Sequence, residues 1–244
     1  MAETSPSVTT VSASAKHDGG PLEAAFVSLA KYTAGSSRGA LVLLDQAVAA
    51  AAGDPAAAVQ LSQRLATMLE GSAPVPAKRY VCEKLALIGG ADAVPHLARW
   101  LDDPALTDAA RTALQAIPGK ASSRALIDAL RRLQGIPRLG VMASLGMRRE
   151  RIAVGPLSRL VTHADRPTGG AALGALGDIG SVEAARVLKV YLEREPVVLR
   201  VEAALAALAC AQQLRRAGNA REAAALVAVL DGPGLPEHVL QSAK

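Results

Sequence analysis

The sequence predicts an all-α solenoid, a right-handed α-α superhelix of about five stacked helical hairpins. Three observations carry this. Leu85, Leu114, Leu145 and Leu176 recur at spacings of 29, 31 and 31 residues, and Leu97, Leu126, Leu157 and Leu188 repeat the same three spacings. Two columns in one register mark a repeated unit about 30 residues long, the length of a two-helix repeat. Half of the 244 residues are apolar but only 2% are aromatic. That apolar mass is Ala, Leu and Val, and Ala and Leu form helices with little loss of rotamer freedom. Finally, apolar groups fall at helical spacing throughout, with no period-2 alternation of the kind a strand needs.

The elements follow in order. Residues 1–20 are mostly Ser, Thr, Ala and Gly, with too little apolar surface to offset the entropy of ordering, so a disordered tail is expected. Two helices within 21–53 are expected to cap the array. Pro21 suits a first helical position, and Phe26 and Leu29 follow at helical spacing. Gly35-Ser36-Ser37 ends that helix, and Ser36 or Ser37 is a candidate cap for the next, striped by Leu41, Leu44, Val48 and Ala52. Gly53-Asp54-Pro55 reads as stop, N-cap and first-turn proline. It opens an array expected over 54–231.

Helices at 55–70 and 76–88 make the first pair, parted by two prolines and closed by Gly89-Gly90. First helices at about 92–102, 121–134, 151–163 and 182–194 then alternate with partners at 105–117, 137–147, 168–179 and 197–216. Asp103-Pro104, Gly135-Ile136-Pro137, Asp165-Arg166-Pro167 and Glu195-Pro196 divide each pair. Beyond Gly218-Asn219 a last helix covers 221–230, and 232–244 is expected to be a tail or short capping helix.

The blocks ALIGGADAVPHLARWLDDP, ALQAIPGKASSRALIDAL and ALGDIGSVEAARVLKVYL resemble the short HEAT-like repeats first named from phycobilisome lyases. VCEKLALIGGADAVPHLARWLDDPALTDAARTALQAIPG, GVMASLGMRRE and ALAALACAQQLRRAGNAREA together resemble HEAT-repeat modules of planctomycete-type bacterial proteins. The resemblance spans about residues 54–230 and implies an armadillo-like fold. It implies no single activity, since such repeats serve lyase chaperones, scaffolds, sensors and enzymes.

Stacked hairpins leave a long concave face of second helices, the usual binding surface of a solenoid. A non-catalytic protein–protein interaction or scaffolding module is therefore expected, as a monomer with a protein partner on that face. Residues 120–159 hold nine Lys or Arg and two acids, a local charge of +7 in a chain of net +5, which favours an acidic partner. Within this segment Arg148 stands where the sibling repeats have Ile88, Ile117 and Ile179, and Arg149-Glu150-Arg151 replaces a glycine turn. Arg138, Arg148, Arg149 and Arg151 are thus candidate partner-binding residues, their guanidinium forks suited to carboxylate or phosphate. The competing reading ends the helix at Gly146 and leaves these arginines in solvent or paired with Glu150. Nucleic-acid binding through 120–159 is the alternative function, weakened because no aromatic in that segment offers a stacking platform. A chromophore-lyase-type chaperone is a further alternative.

No catalytic residue, cofactor or metal is expected. His17, His96, His163 and His238 are scattered without metal-ligand spacing. Asp102-Asp103 and Glu193 to Glu195 read as turn acids, and Cys82 and Cys210 read as buried thiols. Trp100 shares a column with Leu160 and Tyr191 and is expected in the core. No apolar run reaches the roughly 18–20 residues that span a bilayer, so no membrane insertion is expected. The N-terminus lacks a basic and apolar leader pattern, which favours the cytoplasm and leaves an exported mature chain open.

Overall fold

In the computed structural model, residues 20–163, 165–194, 199–230 and 235 are described. The expected tail at 1–19, nearly all of 232–244 and the Glu195-Pro196 boundary lie outside them. Among the described residues there are thirteen α-helices and no strand. They are α1 (Pro21–Leu29), α2 (Gly39–Ala51), α3 (Pro55–Met68), α4 (Val75–Ile88), α5 (Val94–Ala98), α6 (Thr107–Ala116), α7 (Lys120–Arg132), α8 (Gly135–Met147), α9 (Val154–Ser158), α10 (Arg166–Ile179), α11 (Val182–Leu192), α12 (Arg200–Arg216) and α13 (Ala220–Val227). Five hairpins, α3/α4 to α11/α12, stack in sequence between the α1/α2 pair and α13. The described residues form an all-α solenoid of stacked helical hairpins. No helix among the described residues is long and apolar enough to cross a membrane.

All eight leucines of the two columns are 0% exposed. No hairpin can bury its own stripe, so each leucine is covered by the neighbouring hairpins and the core is continuous along the stack. The layer of second helices (α4, α6, α8, α10, α12) is packed more closely than the layer of first helices, which makes it the inner, concave one. Glycine permits that approach. A Cβ built on Gly177 would lie 2.7 Å from the Ala206 carbonyl oxygen and 2.9 Å from Ala206 Cα, and one on Gly146 would lie 3.1 Å from Ala175 Cα.

Local signals behave as their chemistry requires. Asp54 accepts the N–H groups of Ala56 and Ala57 at 2.9 and 3.2 Å ahead of Pro55. Asp103 accepts Ala105 N–H at 2.7 Å, and Ser181 caps α11 through Ala184 N–H at 3.1 Å. Ser37 accepts only Gly39 N–H, at 3.3 Å, and the N-cap position of α2 falls on Arg38.

Two first helices are shorter than expected. The segment predicted at 92–102 is helical only over α5, and that at 151–163 is a 3-10 turn, Arg151–Ala153, followed by the five residues of α9. Beyond each the ladder tightens to i→i−3 bonds, Trp100 N–H to Leu97 O at 3.0 Å and Leu160 N–H to Leu157 O at 2.9 Å. These turns still bring Leu101 and Val161 into the core. Trp100 is half-buried against the core, with Lys78 Nζ 3.9 Å from its ring centroid.

A polar knot joins α2 to the array. The Tyr80 hydroxyl donates to Asp45 Oδ1 at 2.8 Å and lies 3.1 Å from Leu41 O. Lys84 Nζ lies 2.8 Å from Asp45 and 2.7 Å from Glu83. Burial and the Asp45 carboxylate hold the Tyr80 phenol well above its ordinary pKa. Burial works against the Asp45 charge, but hydrogen bonds from Lys84 and Tyr80 outweigh it and hold the carboxyl below its usual range.

Candidate partner-binding surface

The inner layer presents one regular exposed column, Glu83, Thr112, Ala143, Gly174 and Leu205, one residue from each second helix. Beside it runs a second exposed column, Leu87, Ala116, Met147 and Asp178. Leu87 is 69% exposed, Met147 66% and Leu205 50%. The charges on this layer are mixed, with Arg79 and Arg166 exposed alongside Glu83, Asp108, Asp178 and Glu202. Between α4 and α6 the layer opens into a groove of ≈ 600 Å³ lined by Arg79, Glu83, Asp108 and Thr112.

The four arginines singled out by the sequence have different surroundings. Arg148 is the C-cap residue of α8, one residue beyond Met147, so the helix does not stop at Gly146. Its Nη1 donates to the carbonyls of Leu114, Gln115 and Ile117 at 3.0, 2.8 and 2.6 Å. Its Nη2 donates to Gly119 O at 3.0 Å and lies 3.2 Å from Ser123 Oγ. The Leu114, Gln115 and Ile117 carbonyls end α6, where no intrahelical N–H remains to satisfy them and the helix dipole is negative, and Gly119 is the N-cap of α7. The guanidinium therefore caps the preceding hairpin's helix. It is neither in open solvent nor in an ion pair. Burial lowers its pKa, against a smaller opposite effect of Glu150, yet an arginine stays charged.

Arg138 sits at the other end of α8, roughly 15 Å away at the helical rise of ten residues. It is 9% exposed and donates to Leu130 O at 3.3 Å and to Gln134 Oε1 at 3.2 Å. Arg149 is exposed and is the one non-glycine residue with positive φ (50°) among the described residues. Its N–H bonds to Gly146 O at 2.7 Å and that of Glu150 to Leu145 O at 3.0 Å, the paired bonds of a left-handed helix stop. The Asp178 carboxyl is raised by burial and drawn back by the Arg149 charge. Arg151 lies 2.8 Å from Glu183 at the surface. The turn after α8 thus gathers Arg148, Arg149 and Arg151, and Arg138 stands apart.

The sequence reading missed the partners of Arg148. Ser123 hydrogen-bonds both Arg148 and Glu150 and is 1% exposed. In register, hairpin α5/α6 carries Val94 with Ile117 and hairpin α9/α10 carries Val154 with Ile179; hairpin α7/α8 carries Ser123 with Arg148. A second polar substitution on a core column was the available signal. The seam between α6 and α8 is polar elsewhere too. Arg111 Nη1 donates to the fully buried Ser144 Oγ at 2.8 Å, and Ser144 lies 2.9 Å from Gln115 Oε1. Gly140 leaves the room, since a Cβ there would lie 3.0 Å from Arg111 Nε.

The nine basic residues of 120–159 are distributed accordingly. Arg131 pairs with Asp128, Arg132 with Asp102 and Arg151 with Glu183, and Arg138 and Arg148 hold backbone carbonyls. Lys120, Arg124 and Arg159 have no ion-pair or hydrogen-bond partner among the described residues. Cys82 and Cys210 are buried and unpaired, and burial pushes both thiols up to about 12. His96 lies 3.1 Å from Glu70. Among the described residues no three His, Cys, Asp or Glu side chains converge as metal ligands.

No known family pattern and no curated protein matches the chain. Among solved structures it is similar to the complex of CpcE and CpcF of phycocyanin lyase from Nostoc sp. PCC7120, with a TM-score of 0.42 and 20% identity over 97% of each chain.

Proposed function

We propose that the chain is a non-catalytic protein-interaction module that seats a protein partner along the concave layer of second helices. The observation that supports this is the exposure of Leu87, Met147 and Leu205 on that layer. Large aliphatic side chains aligned on one face lose contact with water only when another surface covers them. Arg149, exposed at the end of α8 on the rim of the same layer, is placed to meet a carboxylate of the partner, while Arg151 is engaged with Glu183 of α11. Arg138 and Arg148 act indirectly, by holding helix ends in position.

The test is cross-linking mass spectrometry with a co-purifying partner from the source cell, using wild type and a Leu87→Asp, Met147→Asp, Leu205→Asp variant. Cross-links on α4 to α12 that vanish in a normally helical variant support the reading. Undiminished cross-linking sinks it. Nucleic-acid binding is the second reading, supported by unpartnered Lys120, Arg124 and Arg159. A mobility shift with a steep salt dependence would favour it over the first.

A further inference from the structure

We propose that the outer layer carries a second docking surface, separate from the concave face, that takes an acidic, partly apolar protein segment. The surface lies over α7, α9 and α11. Among neighbouring first helices α7 and α9 scarcely touch, and a groove of ≈ 430 Å³ lies between them. Gly155, in the middle of α9, stands in register with Arg124 of α7 and Arg186 of α11. A Cβ added to Gly155 would meet nothing within 4 Å, so the centre of the patch is open and both flanks are cationic.

Among the described residues this face carries an excess of positive charge. Its carboxylates already have cations, Asp128 with Arg131 at 3.1 Å, Glu183 with Arg151 at 2.8 Å and Glu193 with Lys189 at 3.7 Å. Arg124, Arg159, Arg186 and Arg194 are exposed and have no ion-pair or hydrogen-bond partner among the described residues. Unpaired guanidinium groups of this kind offer two-pronged hydrogen bonding to carboxylates. Interleaved with them are Ile152, 55% exposed, and Val190, 48% exposed. A phosphate backbone leaves exposed aliphatics uncovered, and the patch's one aromatic, Tyr191, is 8% exposed and so cannot stack on bases. A polypeptide that alternates carboxylates with aliphatic side chains satisfies both features.

The experiment selects random dodecapeptides displayed on phage against the full chain. The enriched peptides are then titrated against wild type, an Arg124→Glu, Arg159→Glu, Arg186→Glu variant and the concave-face variant Leu87→Asp, Met147→Asp. Far-UV CD and melting confirm that both variants fold. The expected result is a pool rich in Asp and Glu next to aliphatic residues. Its binding should weaken by about tenfold or more in the triple arginine variant, a loss of the order of several surface ion pairs reversed at once, and be unchanged in the concave-face variant. Absence of acidic enrichment overturns the proposal, as does equal binding by the triple variant. Short duplex DNA or phosphatidylserine vesicles binding wild type in place of acidic peptides would also overturn it. Loss of binding only in the concave-face variant would assign the peptides to the inner layer and leave the outer surface refuted.

Discussion

Replacing Arg148 by isoleucine, the residue of its sibling repeats, separates a structural from a binding role. The side chain serves three carbonyls at the end of α6, that of Gly119 at the start of α7, and the Ser123 hydroxyl, at 2.6 to 3.2 Å. A hydrogen bond from a charged donor contributes about 1.5–3 kcal/mol where the acceptor is otherwise unpaired. Several of these share one donor, and water can reach part of the site. The net cost of Arg148→Ile is therefore about 2–4 kcal/mol rather than the sum. Much of it arises because Ser123, 1% exposed, and the end of α6 lose their donor. Adding Ser123→Val recreates the Val–Ile pair of the neighbouring hairpins and should recover about 1–2 kcal/mol, a coupling readable in a double-mutant cycle.

Urea unfolding followed by far-UV CD gives the free energies, and hydrogen exchange at the amides of 113–119 reports local opening of the α6 terminus. A single-variant loss below about 0.5 kcal/mol would refute this account, as would identical losses with and without Ser123→Val. Unchanged stability combined with lost partner binding would return Arg148 to a surface role.

Gly177→Ala should destabilise by about 2 kcal/mol or more, because the new methyl meets Ala206 backbone at 2.7 Å. Gly174→Ala has nothing within 4 Å and should stabilise α10 by about 0.5–1 kcal/mol; paired thermal melts check both signs. Asp45→Asn should cost about 1 kcal/mol at neutral pH, discounted for a half-exposed carboxylate. The Asp45 contribution is present above its ordinary pKa of 3.8 and fades as pH falls through the lower folded value. The two proteins' urea midpoints should therefore converge as the pH is taken progressively below 3.8; a constant gap would contradict the pairing. Cys82 and Cys210, 0% exposed and raised to about 12, should resist a thiol reagent until the chain unfolds, and rapid labelling of either in the native protein would contradict their burial.

The stack was legible because its cause is periodic. Leucines at 29- and 31-residue spacing can all be buried only if each hairpin covers the next. Caps such as Asp54 and Asp103 were legible because their bonds span two or three residues. The short α5 and α9 were not, since the apolar pattern is kept whether the backbone runs as an α-helix or tightens into 3-10 turns. Arg148 could be recognised as out of place but not assigned. Its acceptors lie 25 to 34 residues back in the chain, and a long side chain's reach is not a periodic property. The +7 segment misleads for a related reason: consecutive residues of a helix face different ways, so arginines adjacent in sequence are divided between helix ends, ion pairs and the outer layer.

The seam between α6 and α8 bears on assembly order. Hairpins with like apolar stripes are nearly interchangeable, and a chain of them can close up with one unit looped out. Arg111 opposes that error. In the native order it meets Ser144 Oγ at 2.8 Å and lies over Gly140. Were α6 to stack on α10 instead, the equivalent positions would be Ala175 and Ala171, which removes the Ser144 acceptor and leaves less room beside the guanidinium, while Asp108 of its own helix, at 2.9 Å, stays in place. The lost hydrogen bond to Ser144 and the crowding by a methyl group in place of Gly140 disfavour that arrangement. One arginine, one serine and one glycine thus fit α6 to α8 better than to α10, biasing which hairpin follows which in a chain whose leucines alone would tolerate a skipped unit.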